Sequence, residues 1–266
     1  MVLVSRMDRL EPETRRILQL ASVIGRTFYF SVLKMIAGTG NQLNQHLRHL
    51  QRAGMIREFA RFPESQYSFR HVLAQEAAYN TILIRQRRHF HRQVGEAIEE
   101  IFADRLVDQA SLLAHHFGQA GDDERVLPYT ILAAENAARL YANEDAIAYY
   151  TRAIEIATKH ALDSISASYI PELGSLHKMS LGHLYESLAD LLAMTGDYLN
   201  AHDTFSESLL AYDTDQPLSM ARVHQKIGKN WTRQLRFKEA SLSLGTAEEI
   251  LQAASDHDGA EWHAAW

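Results

Sequence analysis

Cysteine is absent from the 266 residues. That absence removes disulfides, thiolate zinc sites and cysteine nucleophiles together, and it is compatible with a reducing compartment. Glycine and proline are scarce, at 13 and 5 copies, too few for an architecture of short strands and frequent turns. No apolar run approaches the ~18 residues of a membrane span, and Met1 to Leu10 carries no secretory apolar core. A cytoplasmic location is therefore expected, with no membrane partner. Catalytic signatures are missing too. The chain has no Gly-x-x-x-x-Gly-Lys-Ser/Thr, His-Glu-x-x-His, Gly-x-Ser-x-Gly or Gly-x-Gly-x-x-Gly. It should not hydrolyse nucleotide by the P-loop route, and no enzymatic activity is expected of it.

What is present is ordinary globular material, 46% hydrophobic and 23% charged. The net charge of −6 is unevenly spread. Residues 1–100 carry 15 Lys and Arg against 9 Asp and Glu, a net of +6, which leaves −12 for the rest. A basic front and an acidic back fit nucleic-acid contact at the front, attraction between parts, or two domains with ordinary solvated faces.

Periodicity divides the chain. Glu11–Ser22, Phe28–Ile36 and Asn41–Arg52 read as three short helices. The second offers Ser31 as a candidate cap, and the third carries Leu43, Leu47 and Leu50 on one face. Residues 55–60 and 66–69 read as two strands around a turn at Phe62-Pro63-Glu64-Ser65. Three helices followed by a hairpin is the winged-helix order. From His71 onward the period is helical: 71–84, 86–102, 107–119, 123–141, 143–160, about 172–195, 198–212, 218–234 and 237–253. Residues 163–168 read as a Ser-rich loop.

The later helices repeat. Three segments align without gaps on Ala146, Ala201 and Ala240. Four residues later stand Tyr150, Phe205 and Leu244, and seven later Ala153, Ser208 and Ala247. Twelve residues earlier stand Ala134, Ala189 and Gly228, and nine earlier Ala137, Leu192 and Trp231. Small residues at the first, seven-later and twelve-earlier positions, with bulkier ones four later and usually nine earlier, let two antiparallel helices approach closely, which is the tetratricopeptide pattern. The steps of 55 and 39 residues exceed the usual period of about 34, so an insertion is expected near 160–172. A generic helical bundle is the alternative. The expected fold is mainly α: a winged-helix domain over 1–70 (three helices plus a β-hairpin), connecting helices over 71–104, and an α-α superhelical tetratricopeptide-like array over 105–266. Such arrays need terminal caps, and this one is expected to continue past Trp266.

Candidate sites are few. Of the 14 histidines, the pairs His89/His91 and His115/His116 stand out. Neither has the i, i+4 spacing that stacks two imidazoles on one helix face, so no metal site is expected. The third helix offers Gln45, Arg48 and Arg52 as a polar face for a major groove, with Arg57 and Arg61 on the hairpin for phosphates. The alternative is an amphipathic helix in a domain that binds protein. The basic run Arg85–Arg92 reads as a docking face or as a phosphate or RNA contact.

Several motifs occur in a telling order. They are Leu18-Gln-Leu-Ala-Ser-Val-Ile-Gly25-Arg-Thr-Phe28 and Leu47-x-x-Leu50-x-x-Ala-Gly54-Met-Ile. Then come Tyr67-x-Phe69-x-His71-x-Leu73-x-x-Glu76-x-x-Tyr79, Arg88-x-x-His91 and Glu99. Ala114-His115-His116, Ala133-Ala134 and Tyr149-Tyr150-x-x-Ala153 follow. The chain from Leu10 to about Ala153 resembles bacterial signalling ATPases of the STAND class, often fused to nucleotide cyclases, kinases or DNA-binding effectors. The resemblance implies an ATPase domain before the winged helix in the parent protein, with ATP or ADP bound there and not in this chain. It implies that the winged helix folds back on ADP, and that His71 corresponds to the nucleotide-sensing histidine of a Met-His-Asp motif. Val72 stands where that motif has Asp. It also implies that the repeats bind an unknown protein or inducer, for which Tyr149, Tyr185 and Trp231 are candidate contacts. The chain is expected to be a non-catalytic regulatory and scaffolding part of such a switch, with DNA binding through Asn41–Arg52 as the alternative.

Overall fold

Helices dominate the structure, a computed structural model that describes residues 7, 9–38, 40–61, 64–159, 180–212 and 216–255. One three-stranded antiparallel sheet accompanies them among the described residues. The chain divides into two compact units, Met1–Val126 and Leu127–Trp266.

Helix α1 (Pro12–Ile24) organises the first unit. Pro12 lies at its start, where a missing N–H costs nothing. Ile17, Leu18, Leu20, Ala21, Val23 and Ile24 are all buried. That wide apolar surface has a cause: α2 (Phe30–Ala37), α3 (Leu43–Arg52), α4 (Val72–Asn80) and α5 (Ile84–Ile101) all pack on α1. Polar ties fix the packing. Thr14 Oγ1 meets His46 Nδ1 at 2.9 Å, Arg16 donates to the Ala37 carbonyl at 3.0 Å, and Gln75 Nε2 donates to the Ser22 carbonyl at 2.9 Å. Helices expected to be connectors are therefore built into the first unit.

The sheet corrects one expectation. Residues 28 and 29 are not the start of a helix. Thr27–Tyr29 forms strand β1, and α2 begins at Phe30. Strands β2 (Ile56–Ala60) and β3 (Gln66–Phe69) form the expected hairpin, but β1 pairs on the other side of β3. The register is Thr27↔Ser68, Phe28↔Tyr67 and Tyr29↔Gln66. Three residues are too few to display a two-residue alternation, and the partner strand is distant in sequence, so local reading misses the strand. Buried Phe28 stacks on Tyr67 at 5.9 Å and meets Phe69 edge-on at 6.0 Å. A bulge between Glu58 and Ala60 interrupts the β2–β3 ladder.

Helix α5 pairs with α6 (Leu106–Ala120). They pack tightly at Gly95: a Cβ there would lie 2.8 Å from two atoms of the buried Phe117 ring. No helix among the described residues is long and apolar enough to cross a membrane.

Helix α7 (Asp123–Arg139) leads into the second unit, which continues with α8 (Asn143–Lys159), α9 (Leu181–Thr195), α10 (Tyr198–Ala211), α11 (Pro217–Arg233) and α12 (Phe237–Ser255). Helix bounds follow the sequence periods closely. The Ser-rich loop, the insertion near 160–172, the first part of the helix expected from about 172, Phe62-Pro63 and the final residues 256–266 lie outside the described residues. Successive helices pack as α8 on α9, α9 on α10, α10 on α11 and α11 on α12. The aligned small residues Ala134, Ala146, Ala153, Ala189, Ala201 and Ser208 are all fully buried. Tyr150 and Phe205 are buried as well, whereas Leu244 is 42% exposed. Leu244 lies across Gly228, where a Cβ would come within 2.8 Å of its Cγ. Three turns share one backbone feature. Tyr141 (φ 60°), Gly196 (φ 88°) and Leu235 (φ 60°) adopt the left-handed conformation. Each stands five residues before its aligned alanine, 146, 201 or 240.

Candidate functional site

The exit from the β2–β3 hairpin is the first candidate. Phe69 is buried, and the Arg70 N–H donates to the Met55 carbonyl at 2.9 Å, which ends the sheet. His71 follows in extended conformation (φ −132°, ψ 133°) as the residue before the first turn of α4. Its carbonyl accepts the Ala74 N–H at 3.0 Å, but its side chain makes no capping hydrogen bond and is exposed. The ring thus stands in solvent at the positive end of a helix, where it can reach an external anion. Val72 and Leu73 beside it are 40% and 66% exposed.

The second candidate is the outer face of α3. Leu43, Leu47 and Leu50 are buried, and Gln45, Arg48 and Arg52 are exposed on the opposite side. Arg48 Nε donates to the Asn44 carbonyl within its own helix at 3.2 Å. Arg57, exposed on β2, donates to Ser68 Oγ at 3.3 Å. Among the described residues no carboxylate pairs with Arg48, Arg52 or Arg57, while Arg61 is paired with Glu58 at 2.6 Å. The face is cationic and open.

The third candidate lies in the second unit and turns on a buried carboxylate. Glu186 on α9 is 4% exposed. Arg222 on α11 grips it with two nitrogens at 2.7 and 2.9 Å, and Lys226, one turn on, donates at 2.5 Å. The Tyr212 hydroxyl donates to it at 2.7 Å. Because that proton is committed to Glu186, the 2.9 Å contact between Tyr212 Oη and His183 Nδ1 requires the proton on Nδ1. Lys226 also bridges to Asp190 at 2.6 Å. Burial pushes the Glu186 carboxyl up, but the bonds from Arg222, Lys226 and Tyr212 outweigh it and hold the group at about 2. Burial raises Tyr212, and its bond to the carboxylate raises it further.

A pH dependence follows. The Glu186 value is depressed on folding, so its contribution is complete above the unfolded value near 4.5 and is lost as pH falls towards 2. Comparison of wild type with Glu186→Gln in acid titrations of stability should show about 3 kcal/mol of extra loss in wild type across that window. Parallel curves would remove the assignment.

The aromatic candidates of the repeats lie in different surroundings. Tyr185 is half-buried and lines a cleft with Ile154, Leu188 and Glu207, which neither Tyr149 nor Trp231 lines. Trp231 packs on the α9–α11 core, with His202 at 4.4 Å and the Arg236 guanidinium over its ring at 4.3 Å. Tyr149 is half-buried on α8.

Two polar constellations escape sequence reading. One is the Glu186 cluster, in which Tyr212, Arg222 and Lys226 lie 26 to 40 residues from Glu186. The other joins the histidines in the first unit. His91 on α5 places Nδ1 2.9 Å from Nδ1 of His116 on α6, and its Nε2 meets the Tyr79 hydroxyl at 3.0 Å. The spacing rule examines histidines within one helix, whereas this contact joins two.

Comparison with known proteins adds little. No family model matches the chain. It is 30% identical over 90 residues to the uncharacterized protein R02095 of Rhizobium meliloti (strain 1021), a match that covers 34% of this chain and 9% of that protein. The chain thus spans about a tenth of the length of that curated relative. Among solved structures it is similar to BtubC (BKLC) from P. vanneervenii, over 86% of this chain and 93% of that one, with 15% identity and a TM-score of 0.42.

Proposed function

We propose that this chain is the regulatory and scaffolding part of a STAND-type signalling ATPase, a winged-helix domain followed by tetratricopeptide-like repeats, which acts through contacts with other domains and proteins. The observation that carries the reading is the pairing of two motifs in one chain. The first unit has the order helix, strand, helix, helix, hairpin, with β3 central in the sheet, as a winged helix would have. The second buries small residues at a fixed spacing on paired helices, as tetratricopeptide repeats do. In this reading the protein works in the cytoplasm, and the exposed His71 ring senses the phosphate of ADP bound to the ATPase domain of the same polypeptide. A protein or inducer binds the repeats and favours the open state by differential affinity.

The test is direct. The ADP-loaded ATPase domain should bind this chain in titration calorimetry. Loss of a hydrogen bond to a charged phosphate costs about 1.5–3 kcal/mol, so His71→Ala should weaken binding about tenfold or more. Unchanged affinity removes the sensing role of His71. No binding with either ADP or ATP overturns the reading.

One observation favours a second reading. Gln45, Arg48 and Arg52 project together from α3 with no acidic partner among the described residues, as a groove-reading helix requires. A salt-dependent duplex DNA shift, abolished by Arg48→Ala with Arg52→Ala, is its expected signature. Absence of binding at low salt sinks it.

A further inference from the structure

We infer that His91, His115 and His116 form a binding site for a divalent transition-metal ion of the zinc type. Each ring offers one nitrogen, and the three nitrogens lie within 4.8 Å of one another. Tetrahedral zinc with Zn–N bonds of about 2.0–2.1 Å separates its ligand nitrogens by roughly 3.4 Å. The His91–His116 contact, at 2.9 Å, is already close to that spacing. The ring centroids are 5.1 Å apart for His91 and His116, 5.2 Å for His115 and His116, and 5.7 Å for His91 and His115. Modest side-chain rotations bring the three nitrogens to one ion.

The surroundings suit ligation. In the pair, a single proton lies between the two Nδ1 atoms, and a cation that replaces it is bound by both rings. His91 Nε2 then carries its hydrogen towards the Tyr79 hydroxyl 3.0 Å away, the outer bond that fixes a ligating imidazole in orientation. His116 is fully buried, which keeps competing water from its ring. Burial lowers His91 to about 4 and His116 to about 3, so both rings are neutral, the form that binds metal. The Ile24 backbone pulls His116 weakly the other way. His115 is exposed, which leaves one side of the ion open to water. No carboxylate belongs to the set, and the Arg87 guanidinium stacks on Tyr79 at 4.5 Å. A bound dication therefore keeps its full charge and favours an anion or hydroxide in its open position.

Zinc chloride titrated calorimetrically into the protein tests the site. The expected result is about one tight equivalent, weakened about tenfold or more by His115→Ala or His115→Gln and unaffected by His89→Ala, an exposed histidine of α5. Cobalt(II) in place of zinc should give visible absorption bands of a four-coordinate imidazole site, lost in the same variants. His115 is exposed, so circular dichroism of its variants should match wild type. The proposal is overturned if wild type binds no zinc, or if the His115 variants bind within tenfold of wild type. Either outcome would leave the three rings as a packed cluster with one proton-bridged pair, His91 and His116.

Discussion

Replacement of Glu186 by alanine should cost the second unit about 3–5 kcal/mol, the usual loss when one partner of a buried ion pair is removed. The loss has two parts. The Tyr212 hydroxyl, on a buried side chain, loses its acceptor, and Arg222 and Lys226 lose the carboxylate that neutralises them. Their side chains are 37% and 25% exposed, so water recovers part of the second term and the lower end of the range is expected. A triple replacement of Glu186, Arg222 and Lys226 by methionine should cost much less than Glu186→Ala, because no buried charge is then unpaired. Urea denaturation followed by far-ultraviolet circular dichroism gives both values. A loss below about 1 kcal/mol in Glu186→Ala would class the cluster with ordinary surface pairs.

The first unit offers a prediction of similar size with a change of sign built in. Phe117→Ala empties a fully buried ring position between α5 and α6 and should cost about 3–5 kcal/mol. Gly95→Ala drives a methyl group against that ring at 2.8 Å. Overpacking of this kind costs about 1–3 kcal/mol, against roughly 1 kcal/mol gained from alanine's better helix propensity, so a small net loss is expected. In the Phe117→Ala background the ring is gone, and Gly95→Ala should become stabilising by up to about 1 kcal/mol. A double-mutant cycle by thermal or urea unfolding measures the reversal. Additive effects would show that Gly95 and Phe117 do not limit the approach of the two helices.

What could be read from sequence, and what could not, divides along contact range. Leu43, Leu47 and Leu50 announce the buried face of α3 because a helix repeats within seven residues, and all three are buried. Ala146, Ala201 and their aligned companions announce the helix contacts of the second unit because the pattern occurs three times. Strand β1 could not be read: Thr27–Tyr29 owes its conformation to a partner at residues 66–68. The same holds for the polar sites. His91 and His116 are 25 residues apart, and Glu186 and Lys226 are 40 apart. A charge pattern within one helix predicts solvated faces for both, and only the pairing of helices turns them inward. His71, Arg48 and Arg52 were legible as exposed polar residues because they lie at an element end or opposite an apolar stripe.

The left-handed residues Tyr141, Gly196 and Leu235 give the second unit a counting rule. Each stands five positions before a buried alanine, and at Gly196 and Leu235 the two helices so joined pack on each other. An α-helix turns about 100° per residue. One residue inserted between Gly196 and Ala201 would therefore swing Ala201, Phe205 and Ser208 a quarter-turn or more away from their partner helix.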